Sequence, residues 1–185
     1  KDYDFKMIAV GRFVDKEKNF SMLIEMMHDF ARVCPKALLV LVGDGPDREK
    51  YKLRIKKYGL ERCVILEKVL PENLPSFLKI FDVFLLSSNY EGWGRVVVEA
   101  MASGLPVVMT DVGLAGEVLL DGENGYVVPV GDTEAMLRAI KKLYEDPEIR
   151  RKFAAVGQST ARSLRPATKE EYLTLYKESI SRCSF

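Results

Sequence analysis

The feature that most constrains this fold is an alternation: apolar runs of four to six residues recur between longer segments with helical spacing. A run that short and that uniformly apolar suits a strand buried on both faces, which is what a parallel sheet under covering helices provides. Strands are expected at Lys6 to Val10, Ala37 to Val42, Cys63 to Leu66, Val83 to Leu86, Pro106 to Met109 and Gly125 to Val128. The first helix is expected from Asn19 to Val33, with Asn19 as N-cap and Phe20, Leu23, Ile24, Met27 and Phe30 forming its apolar stripe. Further helices are expected at Asp47 to Tyr58, Leu74 to Phe81, Arg95 to Ser103 and Asp132 to Tyr144, with Gly59 and Gly104 at helix C-termini. Helical patterning resumes at Pro147, breaks at Arg165 and Pro166, and returns from about Thr168 to Ser181. The spacing therefore predicts an α/β chain: a Rossmann-like, doubly wound, six-stranded parallel sheet followed by C-terminal helices. With no internal repeat and no Gly/Ser linker, residues 1–185 read as one domain.

Charge and composition exclude several functions. Lys and Arg number 28 against 27 Asp and Glu, so a net charge of +1 gives no electrostatic footprint for nucleic acid. Cys34, Cys63 and Cys183 are odd in number and lack metal-ligand spacing, and His28 is the single imidazole, so neither a disulfide framework nor a metal site is expected. No run approaches the ~20 apolar residues of a membrane span. The chain opens on Lys1 with no leader pattern, which reads as a piece of a longer protein. His28 stands among Met26, Met27 and Phe30 and is expected to be structural. The Lys50, Lys52, Arg54, Lys56, Lys57 series is expected to be a solvated helix face, with contact to an anionic membrane as the alternative.

In an open α/β sheet, ligands bind beyond the carboxyl ends of the strands, so the loops after each strand carry the chemistry. After the fourth strand comes Ser87-Ser88-Asn89-Tyr90-Glu91-Gly92-Trp93-Gly94-Arg95, which opens the helix bearing Glu99. Glycines before a helix N-terminus let backbone N–H groups approach a phosphate, and two carboxylates at different depths can accept from separate hydroxyls. After the first strand, Gly11 and Arg12 precede Lys16 and Lys18, cations suited to a diphosphate that gains charge as it leaves. The Gly43-Asp44-Gly45-Pro46 turn follows the second strand and could admit a nucleobase. It does not complete G-x-G-x-x-G, because Arg48 holds the last glycine position, and no P-loop motif occurs. Each segment alone could equally be solvated loop or helix surface.

Together, Gly11-Arg12 with Lys18-Asn19, Gly43-Asp44-Gly45-Pro46, Glu91-Gly92-Trp93-Gly94 through Glu99-Ala100-Met101, Ser103-Gly104-Leu105-Pro106 and Asp121-Gly122-Glu123-Asn124-Gly125 resemble the GT-B glycosyltransferases of the GT4 type, Glu91 and Glu99 forming that family's E-x7-E pattern. The resemblance implies one half of a GT-B enzyme: a C-terminal domain that binds a nucleotide-sugar donor, with the acceptor-binding N-terminal domain absent from this chain. It implies a retaining hexosyl transfer from a UDP-, GDP- or ADP-sugar to a glycan, lipid or small acceptor, with no cofactor and no metal. By the same analogy Arg12 and Lys18 contact the diphosphate beside Gly11 and Gly43, and Glu91 takes the sugar hydroxyls. Glu99 takes the ribose, Gly92, Trp93 and Gly94 line the sugar or phosphate, and the base lies near Lys68, Val69 and Leu74. Arg12, Lys18 and Glu91 are the expected catalytic residues. Lys16 competes with Lys18, which is preferred because Asn19 and Phe20 follow it as in the family. Lys68 stands where the family often has glycine, and Trp93 where phenylalanine is common. The expected location is cytoplasmic, with peripheral membrane association of the full enzyme. The alternatives are a non-catalytic nucleotide-sugar-binding module and half of a GT-B epimerase or phosphorylase.

Overall fold

The computed structural model describes residues 2–164, and the helix expected from Thr168 to Ser181 lies outside them. Six strands form one sheet: β1 Phe5–Val10, β2 Ala37–Val42, β3 Val64–Glu67, β4 Val83–Leu86, β5 Val107–Thr110 and β6 Gly125–Val128. Their order is β3-β2-β1-β4-β5-β6 and every pairing is parallel. The helices are α1 Asp15–Lys18, α2 Phe20–Val33, α3 Arg48–Lys57, α4 Leu74–Leu78, α5 Arg95–Ala102, α6 Thr133–Glu145 and α7 Pro147–Ser163. The doubly wound α/β reading is correct.

Burial explains the apolar runs. All six residues of β2 and all four of β4 are buried, since each strand has helices over both faces. Strand alternation sends Met7, Ala9, Leu39 and Leu41 to one face, against Leu23, Ile24, Met27 and Phe30 of α2 and Met136, Ile140 and Leu143 of α6. Ile8, Val40, Val42 and Phe84 face the other side, against Leu78, Val97, Met101 and Ala161 of α4, α5 and α7. Truncating one such leucine to alanine costs about 2–5 kcal/mol. Helices α6 and α7 begin at side-chain caps: Asp132 accepts from the Ala135 N–H at 2.8 Å, and Asp146 from Glu148 and Ile149 at 2.9 and 3.0 Å.

Several boundaries differ from expectation. Strands β3 and β5 start one residue later than predicted, and α4 ends at Leu78 after a 3₁₀ turn at Pro71–Asn73. Prolines at 71 and 75 allow only short helical pieces there. The one-turn helix α1 was not foreseen, because Asp-Lys-Glu-Lys has no apolar periodicity and buries nothing. Asn19 does not cap α2 through its side chain: its backbone is left-handed (φ +47°), closing α1 and opening α2 at once. The capping oxygen comes from Asp15, whose Oδ1 accepts from the Ser21 N–H at 2.9 Å.

Candidate functional site

In a sheet of order 3-2-1-4-5-6 the connections after β1 and β4 leave in opposite directions, opening a crevice at the strands' carboxyl ends. Here the two loops are tied together across that point. The Asn89 N–H donates to the Glu17 carbonyl at 2.7 Å, and its side-chain amide donates to the Lys16 carbonyl at 3.0 Å. Asn19 donates to Asn89 Oδ1 at 3.1 Å, and the Ser87 hydroxyl to the Lys18 carbonyl at 2.8 Å. At the centre Lys18 and Glu91 form an ion pair, with side chains 19% and 11% exposed. The Ser88 hydroxyl donates to the same Glu91 oxygen at 2.8 Å. Helix α1 is thus held by tertiary hydrogen bonds rather than by its own sequence.

Asp15 supports this arrangement from the other side. Its carboxylate caps α2, pairs with Lys50 Nζ at 2.6 Å, and its backbone N–H donates to Asp47 Oδ2 at 2.7 Å. Burial by itself would raise the Asp15 pKa, but the Lys50 ammonium and the Ser21 N–H outweigh it and hold the carboxyl below the ordinary aspartate value.

Beside the latch lies a cavity of about 660 Å³, walled by the ends of β1 and β2, the β3–α4 connection and one face of α5. Gly43 is sterically required. A Cβ on Gly43 would stand 1.9 Å from the Gly11 carbonyl oxygen, so the two strands can end this close only with glycine at position 43. A Cβ on Gly11 would meet Lys18 Cδ at 3.3 Å, which places the lysine stem directly behind the cavity wall. Arg48 fixes the same corner: its guanidinium donates to the Gly43 carbonyl at 3.3 Å and the Leu66 carbonyl at 3.2 Å. Lys68 reaches Asp44, a lining residue, at 2.5 Å, and that contact first of all holds the Asp44 carboxyl below its ordinary range.

Helix α5 opens at Gly94, whose left-handed backbone (φ +89°) turns the β4 loop into the helix. Arg95 and Glu99, one turn apart, pair at 3.3 Å and both line the cavity, followed along the same face by Ala102 and Ser103. Trp93 is about half exposed, and its carbonyl accepts from the Leu114 N–H at 3.1 Å. Gly113 is glycine because a Cβ there would lie 2.8 Å from that carbonyl oxygen.

Of the residues expected at the site, Gly11, Arg12, Gly43, Val69, Leu74 and Glu99 line this one cavity. Lys18 and Glu91 meet each other instead of the cavity, Gly92, Trp93 and Gly94 form the loop outside its lining, and Lys68 touches it through Asp44. Between the two lysines of the first loop, Lys18 is partly buried against Glu91 while Lys16 is exposed. Sequence reasoning missed Asp44, Lys79, Arg95 and Ser103 as lining residues. Arg95 had a readable signal, since it precedes Glu99 by four residues on one helix face. His28 packs against Tyr58 with ring centroids 5.0 Å apart, and Lys50, Lys52 and Arg54 are paired with carboxylates. Among the described residues, no group of three His, Cys, Asp or Glu is arranged to hold a metal, and no helix is long and apolar enough to cross a membrane.

Residues 1–160 match the family model for glycosyl transferases group 1. The lipopolysaccharide core biosynthesis glycosyltransferase LpsE of Rhizobium meliloti is 35% identical over 91% of this chain and 48% of its own. The crystal structure of the C-terminal domain of LpcC, a glycosyl transferase group 1 family protein from Francisella tularensis, superposes with a TM-score of 0.80 at 25% identity, covering 88% of this chain and 86% of that one. Anabaena HepE in complex with UDP-glucose superposes with a TM-score of 0.78 at 26% identity, over 86% of this chain and 44% of that one. The chain spans about half the length of the curated relatives it matches.

Proposed function

This chain belongs to the glycosyl transferases group 1 family, and from that premise we propose that it binds the nucleotide-sugar donor of a retaining hexosyltransferase. The observation that carries the reading is the cavity at the switch point. It joins cations of the β1 loop and α5 (Arg12, Arg95) to a carboxylate (Glu99) and to the apolar β3–α4 wall of Val69, Leu74 and Pro75. A nucleoside diphosphate needs that combination: a flat apolar wall for the base, an acceptor for ribose hydroxyls and cations for phosphate. In this reading the base lies against Val69 and Leu74 near Lys68, and Glu99 accepts from the ribose. The diphosphate meets Arg12 and Lys18 beside Gly11 and Gly43, and the sugar hydroxyls meet Glu91 near Gly92, Trp93 and Gly94.

The catalytic demand is stabilisation of a departing diphosphate, and a guanidinium with an ammonium supplies it electrostatically, without a metal or other cofactor. Lys18 is well placed for this. Its stem lies behind Gly11 and its ammonium is held by Glu91, so it is ordered before any ligand arrives. The acceptor, a glycan, lipid or small molecule, attacks from the face the diphosphate leaves, giving retention. Relatives twice as long support a second, N-terminal domain that holds this acceptor, as one domain's worth of chain. A cytoplasmic enzyme with peripheral membrane contact is the matching location.

The HepE complex makes a UDP-hexose the first donor to try, alongside GDP and ADP sugars. Thermal shift and calorimetry with this panel test the proposal: ligand at ~100 times its Kd adds about 2.7 kcal/mol of stability. A chain whose melting is unmoved by every nucleotide and nucleotide sugar would not be a donor-binding domain.

A further inference from the structure

The cavity wall formed by α5 carries a cation and a carboxylate that pair with each other, and the donor reading gives that pairing no role. Arg95 and Glu99 lie one turn apart on the face that lines the cavity, with Ala102 and Ser103 continuing the stripe. The Arg95 side chain is 85% exposed and its contact to Glu99 is a single one, Nε to Oε1 at 3.3 Å. An exposed i,i+4 pair of this kind is held weakly. Glu99, at 42% exposed, is the more enclosed partner, so a ligand hydroxyl can take its oxygen while the guanidinium stays free to turn. The other cations facing the cavity are Arg12, on the β1 loop, and Lys79, just beyond α4. Lys18 lies outside the lining and pairs with Glu91. Among the described residues, Arg95 is therefore the lining cation that shares a helix face with the carboxylate proposed for the ribose.

We propose that Arg95 is a specificity-determining residue of this site: it exchanges Glu99 for the diphosphate when ribose hydroxyls occupy Glu99. The inference rests on the donor-site reading above and deepens it. A guanidinium has more donors than Glu99 alone can use and suits two phosphate oxygens at once. The exchange makes the two ends of the ligand cooperate, because the ribose releases the cation that the phosphate then takes. A nucleoside without phosphate breaks the Arg95–Glu99 pair and receives nothing in return. The site thereby favours a nucleoside diphosphate over the bare nucleoside by more than charge attraction at Arg12 and Lys18 provides.

The test uses the 185-residue chain with UDP, GDP and ADP, and then the nucleoside of whichever diphosphate binds best. Affinities for wild type, Arg95→Gln and Arg95→Lys come from calorimetry, with ligand-observed NMR for the nucleoside. Arg95→Gln is expected to weaken the diphosphate about tenfold, equal to about 1.4 kcal/mol, and to leave nucleoside affinity unchanged or slightly improved. Arg95→Lys should recover only part of the loss, since it lacks the planar fork. Equal losses on diphosphate and nucleoside would mean that Arg95 acts only by positioning Glu99, and would overturn the proposal. So would a diphosphate affinity that Arg95→Gln leaves at the wild-type value. Failure of wild type itself to bind any of the three diphosphates would remove the donor site, a different result from failure of the arginine's role.

Discussion

Replacing Glu91 by glutamine isolates the central ion pair of the latch. Glutamine keeps the size of the side chain and one carbonyl oxygen, so the Ser88 hydroxyl, 2.8 Å from Glu91 Oε1, retains an acceptor and the loop retains its packing. What disappears is the negative charge facing Lys18, in a pair whose side chains are 19% and 11% exposed. A hydrogen bond involving charge contributes about 1.5–3 kcal/mol and a neutral one about 0.5–1.5, so the substitution should cost about 1–2 kcal/mol. For a chain of this size that lowers Tm by about 2–8 °C. Ligand binding should respond in the opposite direction. In wild type a phosphate must share the ammonium with Glu91, and in Glu91→Gln it need not, so nucleoside diphosphate affinity should hold or rise by up to about tenfold. The sugar-bearing donor should lose whatever advantage it has over the free diphosphate, because its hydroxyls lose their charged acceptor. Melting and calorimetry on wild type, Glu91→Gln and Lys18→Met read all three effects. An unchanged Tm, or a diphosphate affinity that falls in Glu91→Gln as it does in Lys18→Met, would refute the reasoning.

Other expectations follow from the same geometry. Glu99→Ala should weaken the free nucleotide and the nucleotide sugar alike, by about tenfold for one lost charged hydrogen bond; calorimetry showing loss on the sugar-bearing ligand alone would reverse the assigned roles. Gly43→Ala must push apart two strand ends because its new Cβ would stand 1.9 Å from the Gly11 carbonyl oxygen, so denaturant melts should show a loss near the upper end of the about 1–3 kcal/mol typical of overpacking. Asp15→Asn removes a charged cap of α2 and the Lys50 pair, costing about 1 kcal/mol at neutral pH. Because the folded Asp15 pKa is lowered, its contribution is present above the ordinary value of 3.8 and is lost as pH falls through the lower folded value. Melts of the two proteins should therefore converge in strong acid, and a gap that widens there would contradict the sign.

The sheet was legible because its strands are buried on both faces, and short apolar runs such as Ala37 to Val42 have few other uses. Residues of the first loop were less legible. The turn from Asp15 to Lys18 buries nothing of its own and exists because Asn89 and Asp47 bond to its backbone, from positions 32 to 73 residues away in sequence. Asn19 has the composition of an N-cap, but its left-handed backbone carries the chain from one helix into the next, and the capping oxygen comes from Asp15. The carboxylate pair of the E-x7-E segment was visible as residue types and spacing. That Glu99 lines the cavity while Glu91 grips Lys18 depends on how α5 is rotated against the sheet, which spacing alone does not set.

The near-contact of Gly11 and Gly43 divides the ligand-facing surface by chain segment. On one side of it, residues 42–79 supply the apolar wall and Asp44; on the other, residues 87–94 supply Glu91 and the glycine loop. The β1 loop between them meets both: Gly11 and Arg12 line the cavity, and the Lys16 and Lys18 carbonyls accept from the Asn89 and Ser87 side chains of the sugar-facing loop. A base-facing segment transplanted from a relative must therefore keep Asp47, whose Oδ2 accepts from the Asp15 N–H at 2.7 Å, for the β1 loop and the sugar-facing loop to stay in place. On the proposed reading, that one carboxylate is the condition for the base-facing side to change without the sugar-facing side.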